Sequence, residues 1–174
     1  MPVSLDPPAG PDDHARGRPD APYVLTMYAD FECPFCQAAQ GILARVEKRL
    51  SDELLLVSRH FPVDARHPLA RDAARVAEAA AAQDAFWPMH DALFALRGDL
   101  ARPKLLKAVR DLGLDAALAG RALDEHLHDE RIAADLASGE RSGVTGTPAF
   151  FAGTTQVEGA FDASSLVEAL RASA

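Results

Sequence analysis

The stretch Tyr23-Val24-Leu25-Thr26-Met27-Tyr28-Ala29-Asp30-Phe31, followed at once by Glu32-Cys33-Pro34-Phe35-Cys36, decides how the rest of the chain is read. The first nine residues are rich in β-branched and aromatic side chains and lie between Pro22 and Pro34, which suits a buried strand. Past the cysteines, Phe35, Ala39, Ile42, Leu43, Val46 and Leu50 recur at helical spacing, which predicts a helix from Pro34 to about Leu50. A second apolar run, Leu54 to Phe61, fits another buried strand, so residues 23–61 form a βαβ unit with parallel strands and a right-handed crossover.

Working outward, the residues before this unit hold prolines 2, 7, 8, 11 and 19 and no apolar periodicity, so residues 1–21 are expected to be a flexible or draped leader. From about His67 to Ser142 the pattern is helical only, in stretches ending near Gln83, Leu96, Leu112, Leu127 and Glu140, with Gly98, Pro103, Gly113 and Gly120 as breaks. Strand character returns at Ala149–Ala152 and Thr155–Glu158, joined through Gly153 as a hairpin, and a last helix covers about Asp162 to Ala172. The expected architecture is α/β. Residues 22–64 and 143–174 form one domain, interrupted by an all-helical insertion at 65–142.

Composition narrows the function. A formal net charge of -8 and a pI near 5.1 argue against a chain-wide basic footprint for nucleic acid. The apolar runs fall far short of the roughly 20 residues that cross a bilayer, so membrane insertion is not expected. No cationic opening followed by an apolar stretch is present at the N-terminus, which by default places the chain in the cytoplasm; a removed leader would instead place it in the periplasm or outside the cell.

The two cysteines of the chain, Cys33 and Cys36, carry the chemistry. A bridge across so short a loop removes little entropy from the unfolded chain, so a redox or metal role fits better than a structural one. A structural zinc wants four Cys or His ligands and no second cysteine pair exists, so no metal ligands are assigned. At the start of the predicted helix, Cys33 takes the N-cap and Pro34 the first position, where a missing N–H costs nothing. Free amides and the positive end of the helix dipole then favour thiolate at Cys33, while Cys36 sits one turn away within bridging distance. Cys33 is the nucleophile and Cys36 the resolving thiol.

Among the histidines, His126 and His128 are expected on a solvated helix face, and His60, near the end of the second strand, as a satisfied structural residue outside the catalytic set. Phe86, Trp87, Met89, Leu93 and Phe94 read as the core of the insertion. Gly139, Gly143 and Gly146 do not make a phosphate loop.

Taken together, Asp-Phe-Glu-Cys-Pro-Phe-Cys at 30–36, Arg-His-Phe-Pro at 59–62 with His67-Pro68, Phe-Trp-Pro-Met-His-Asp at 86–91 and Gly-Val-Thr-Gly-Thr-Pro-Ala-Phe-Phe at 143–151 resemble the thioredoxin superfamily, and within it the DsbA-like branch that carries a helical insertion. The resemblance covers residues 14–172 and implies a thioredoxin fold and a thiol:disulfide oxidoreductase without a dissociable cofactor. It implies a cis-proline at Pro148, with the backbone of Thr147 open to an extended substrate through strand addition and a mixed disulfide. Pro34 and Phe35 join Thr147 and Pro148 in the implied substrate-binding set. Protein thiols and disulfides are the implied substrates, with an unidentified redox protein or glutathione as recycling partner.

Two departures from strongly oxidising relatives stand out. Phe35 replaces a histidine as the last residue of the dipeptide, and Met27 stands where a buried acid lies six residues before the first cysteine. Glu32 beside Cys33 adds a charge that opposes the thiolate if the two are close. The expected potential therefore lies between roughly -270 mV and roughly -120 mV, in the lower half. A reductase or isomerase, and a thioredoxin-like interaction module with idle cysteines, are the competing readings.

Overall fold

The computed structural model describes residues 3–159 and 161–174; residues 1, 2 and 160, which fall in the expected leader and C-terminal segment, lie outside the described residues. The chain runs β1 (His14–Gly17), β2 (Tyr23–Ala29), α1 (Pro34–Leu50), a short 3-10 turn (Ser51–Glu53), β3 (Leu54–His60), then α2 (Ala70–Ala81), α3 (Phe86–Ala95), α4 (Arg102–Asp111), α5 (Ala116–Asp124) and α6 (Asp129–Arg141). It closes with β4 (Ala149–Ala152), β5 (Thr155–Val157) and α7 (Ala163–Ser173).

The five strands form one sheet in the order β1-β3-β2-β4-β5. β2 and β3 are parallel, with Tyr23 opposite Leu54 and Ala29 opposite His60, so the expected βαβ unit is present. The other neighbours are antiparallel, including the β4–β5 hairpin. The alternation along β2 sorts its side chains between two cores. Leu25, Met27 and Ala29 join the larger core with Leu43 and Val46 of α1 and Met89 and Leu93 of α3. Tyr28 faces a second cluster with Leu5, Phe61, Val144 and Phe151.

That second face depends on a glycine. A Cβ at Gly139 of α6 would stand 2.7 Å from two ring carbons of Phe61, so the helix backbone approaches the aromatic ring as only a residue without a side chain allows.

The expected leader is partly corrected. Residues 14–17 pair antiparallel with β3, His14 opposite Ser58 and Gly17 opposite Leu55. Four residues without apolar alternation leave no strand signature; the strand is held by tertiary contacts. Gly17 has φ 116°, and a Cβ there would lie 2.2 Å from the Leu54 carbonyl oxygen. Upstream, Leu5 is buried and its N–H donates to the Thr154 carbonyl at 2.9 Å. The buried Arg59 of β3 grips the same segment, donating to both carboxylate oxygens of Asp13 at 2.8 and 2.9 Å and to the carbonyls of Pro7 and Pro8. The segment is draped along the sheet and fastened at several points.

Helix positions otherwise follow the periodicity, with ends shifted by up to three residues. Among the C-terminal ends the largest shift is at α5, which stops at Asp124, not near Leu127. His126 and His128 then sit in the following turn with positive φ, His128 as the residue that caps α6, which corrects their expected place on a helix face.

Candidate active site

β2 delivers the chain to a turn organised by Asp30. Its carboxylate is fully buried: Oδ1 accepts from the backbone N–H groups of Glu32 at 2.8 Å and Cys33 at 3.1 Å, while Oδ2 accepts from the Val63 N–H at 2.8 Å and contacts His67 Nδ1 at 2.8 Å. One side chain thus joins the cysteine loop to the loop that follows β3. Asp30 and His67 stand within the sequence motifs given above, where neither carries an assigned role. The available signal was an aspartate three residues before a helix N-cap, a spacing suited to closing a turn.

Cys33 occupies the N-cap of α1 with extended φ/ψ of -70° and 121°, and Pro34 follows in the first turn. Cys36 lies inside that turn with no solvent exposure, and the two thiols are free. Thr147 faces the Cys33 sulfur from the loop before β4: Cys33 Sγ donates to the Thr147 carbonyl oxygen at 3.6 Å, and the Thr147–Pro148 peptide bond is cis. The fold therefore brings Cys33, Cys36 and Thr147 together from segments more than 100 residues apart in sequence.

The two thiols are driven in opposite directions. A hydrogen bond from Cys36 is the largest influence on Cys33; with a side-chain hydrogen bond from Thr147 and the backbone N–H groups of Phe35 and Cys36, it overcomes burial and pulls the Cys33 pKa down to about 5. Burial, reinforced by the bond to Cys33, pushes Cys36 far above the ordinary thiol range. Glu32 is engaged elsewhere, accepting from the Leu69 N–H at 2.8 Å, and is not among the main influences on Cys33.

Phe35 projects between two clefts and is 73% exposed, the most exposed of the large apolar side chains. On one side a cavity of about 370 Å³ is lined by Phe35, Ile42, Thr147, Pro148 and Phe161. On the other, a second of about 370 Å³ is lined by Cys33, Phe35, Val63, His67 and Thr147. All six residues assigned from sequence, Cys33, Pro34, Phe35, Cys36, Thr147 and Pro148, lie in this region, and all but Cys36 line one or both cavities. A larger cavity of about 780 Å³ runs along the outer face of α1 from Pro34 toward Phe94 and Arg97, and neither cysteine lines it. Met27 is buried in the larger core, so no acid occupies that position.

A family model described as Thioredoxin matches residues 10–172. The chain belongs to the thioredoxin family. Within it, the structure is similar to BdbD from Bacillus subtilis, with a TM-score of 0.88 at 17% identity, covering 99% of this chain and 97% of that one. It is also similar to a thioredoxin-like oxidoreductase from Silicibacter pomeroyi (TM-score 0.83, 26% identity, 94% and 92% covered). DsbA2 of Pseudomonas aeruginosa gives a TM-score of 0.76 at 28% identity, with 95% and 97% covered. The thioredoxin fold with a helical insertion is therefore that of the DsbA-like oxidoreductases.

Sequence relatives add a different fact. The chain is 41% identical over 170 residues to a protein of Mycolicibacterium vanbaalenii named Na(+)/H(+) antiporter NhaA 1, covering 95% of this chain and 27% of that protein. A similarly named protein of Herminiimonas arsenicoxydans is 39% identical, with 99% and 28% covered. The chain spans about a quarter of the length of these relatives, and among its described residues no helix is long and apolar enough to cross a membrane.

Proposed function

We propose that the chain is a thiol:disulfide oxidoreductase that exchanges its Cys33/Cys36 pair with protein substrates. The observation that carries the reading is the opposed displacement of the two thiols, one pulled down to about 5 and its neighbour pushed up. Such a pair performs two distinct steps. In the reducing direction, the Cys33 thiolate attacks a substrate disulfide, forming the mixed disulfide and releasing one substrate thiolate. Cys36 then loses its proton to the departing substrate sulfur and attacks Cys33, which leaves an oxidised pair and a reduced substrate. The oxidising direction is the reverse, begun by a substrate thiolate attacking Cys33.

The substrate backbone is proposed to lie beside Thr147 and Pro148, with Phe35 supplying apolar contact between the two clefts. A thiolate at about 5 falls between the pKa of roughly 7 for thioredoxin and roughly 3.5 for DsbA, which supports a potential between roughly -270 and -120 mV. That pull is upward, against the effect expected from Phe35 and Met27. Equilibrating the pair in glutathione or dithiothreitol buffers, with alkylation mass shift as readout, tests the reading. A two-electron transition in this interval supports it; thiols that never bridge one another overturn it in favour of an interaction module. A value at the thioredoxin end would fit the proposed cytoplasmic setting, and one at the DsbA end an exported protein.

The sequence relatives favour a second reading, about partners. As a shared part of proteins named for Na(+)/H(+) antiport, this unit would act on thiols of such an antiporter. Trapping mixed disulfides in cells with the Cys36→Ala variant separates the two: adducts confined to an antiporter polypeptide support the second reading, and a spread of soluble adducts removes it.

A further inference from the structure

Away from the cysteines, three side chains from three elements converge behind the sheet. His14 of β1 and His60 of β3 both point Nε2 at one oxygen of Glu78 on α2, at 2.6 and 2.7 Å. The three candidate ligand atoms all lie within 4.8 Å of one another. His60 and Glu78 are almost fully enclosed, whereas the His14 side chain keeps 15% of its surface in solvent. We propose that His14, His60 and Glu78 form a binding site for one divalent transition-metal ion, with zinc(II) as the ion that the donor set fits best.

The donor chemistry separates this cluster from an ordinary buried ion pair. The two other buried carboxylates are satisfied by groups that cannot become ligands: Asp30 by three backbone N–H groups besides His67, and Asp135 by the His60 N–H and Arg131. Glu78 alone among them takes its hydrogen bonds from imidazoles only, among the described residues. Two imidazoles and one carboxylate leaving an open side is a common zinc donor set, and it is poorly matched to calcium or magnesium, which want oxygen ligands.

Binding requires a small, balanced rearrangement. An imidazole that donates from Nε2 carries its proton there. On metal entry that proton moves to Nδ1, or to solvent if the ring was doubly protonated, and the freed Nε2 lone pair takes the ion. Ligand atoms about 2.0–2.2 Å from zinc stand roughly 3.3 Å apart, so the carboxylate must withdraw by roughly half an ångström from its present contacts. The imidazole planes are already set by aromatic neighbours. His14 stacks on Phe86 at 3.7 Å with the rings 7° apart, and His60 meets the same ring edge-on at 6.1 Å. Water completes the coordination from the exposed side of His14. The ion would tie β1 to the helical insertion across the end of β3.

Thiolates are themselves zinc ligands, so to keep the cysteine pair out of the readout the test uses the full chain with Cys33→Ser and Cys36→Ser. Zinc(II) is titrated against a chromophoric chelator, and thermal unfolding is followed with and without the metal. One ion per chain is expected, together with a rise in Tm that grows with zinc concentration. Adding Glu78→Gln abolishes the binding, and His14→Gln, on the edge strand, weakens it at least tenfold. Should Glu78→Gln fail to fold, cobalt(II) substitution in the serine background gives a direct readout: a visible ligand-field band without thiolate charge transfer. No binding in the serine background, or binding unchanged by His14→Gln, overturns the proposal.

Discussion

Asp30 and Cys33 are joined twice, since the Cys33 N–H reaches both the carbonyl oxygen and the carboxylate Oδ1 of Asp30 at 3.1 Å. The Cys33 backbone is thereby fixed from a buried side chain three residues upstream. Replacing Asp30 by Asn puts an NH₂ group where one carboxylate oxygen now accepts, facing the N–H of Val63 or of Glu32 and Cys33. We expect a stability loss of about 2–3 kcal/mol from the broken buried bonds. Urea unfolding of the reduced protein measures it. The pH midpoint of Cys33 alkylation should rise at the same time, because the sulfur's neighbours are no longer held in register.

The reactivity of the two thiols divides by pH. Alkylation of the reduced protein should label Cys33 with a midpoint near pH 5, while Cys36 stays unlabelled through neutral pH. Cys36→Ala removes the largest influence on Cys33 and should move that midpoint upward. A midpoint unchanged by the substitution would leave the helix amides and Thr147 as the groups that lower it.

The same displacement couples to folding. Cys33 titrates near 5 in the folded chain against an ordinary 9.0, so its thiolate adds stability above the unfolded value and loses it as pH falls through 5. Reduced wild type should therefore gain stability over Cys33→Ser between about pH 5 and pH 9. The oxidised protein, having no thiolate, should show no such gain. Denaturant titrations of the three forms at several pH values check both statements.

Arg59→Met should cost about 3–5 kcal/mol, since it leaves Asp13 without its guanidinium and two proline carbonyls without a donor. In the native chain burial raises the Asp13 pKa, but the Arg59 and Gly10 bonds outweigh it and the net shift is downward. The clamp therefore contributes above the ordinary carboxylate range and fades as acid protonates Asp13. Limited proteolysis should cut first in residues 7–13 of the variant.

Gly139→Ala pushes a methyl into the Phe61 ring and should destabilise by about 1–3 kcal/mol. Pairing it with Phe61→Leu should recover part of the loss, because the two changes share one space. Thermal unfolding of the single and double variants gives the coupling directly.

These residues also mark how far the sequence could be read. The helix over Pro34–Leu50 and the strand over Ala149–Ala152 carry their own periodicity and flanking prolines or glycines, and both appear where the pattern puts them. That the six residues assigned from sequence would lie together was reachable because their motifs are short and contiguous, even though Thr147 meets Cys33 only through folding. β1 was not readable, because His14-Ala-Arg-Gly owes its extended form to a partner strand and to Arg59, both distant in sequence. The positioning role of Asp30 was hidden for the same reason. Only its Oδ1 serves neighbours in sequence; Oδ2 is spent on Val63 and His67, over 30 residues away.

The opening segment, bridged to β5 at Ser4 and to β3 at His14, passes beneath the sheet from one edge to the other. Its first fastening joins residues separated by 150 positions, from Ser4 to Thr154. At synthesis rates of about 5–20 residues per second, roughly 8–30 s elapse between the making of that segment and the making of its partner. On the ribosome the segment around Ser4 is thus secured only after the β4–β5 hairpin has emerged, and a nascent chain arrested before that hairpin should expose this segment to a protease that spares the finished protein.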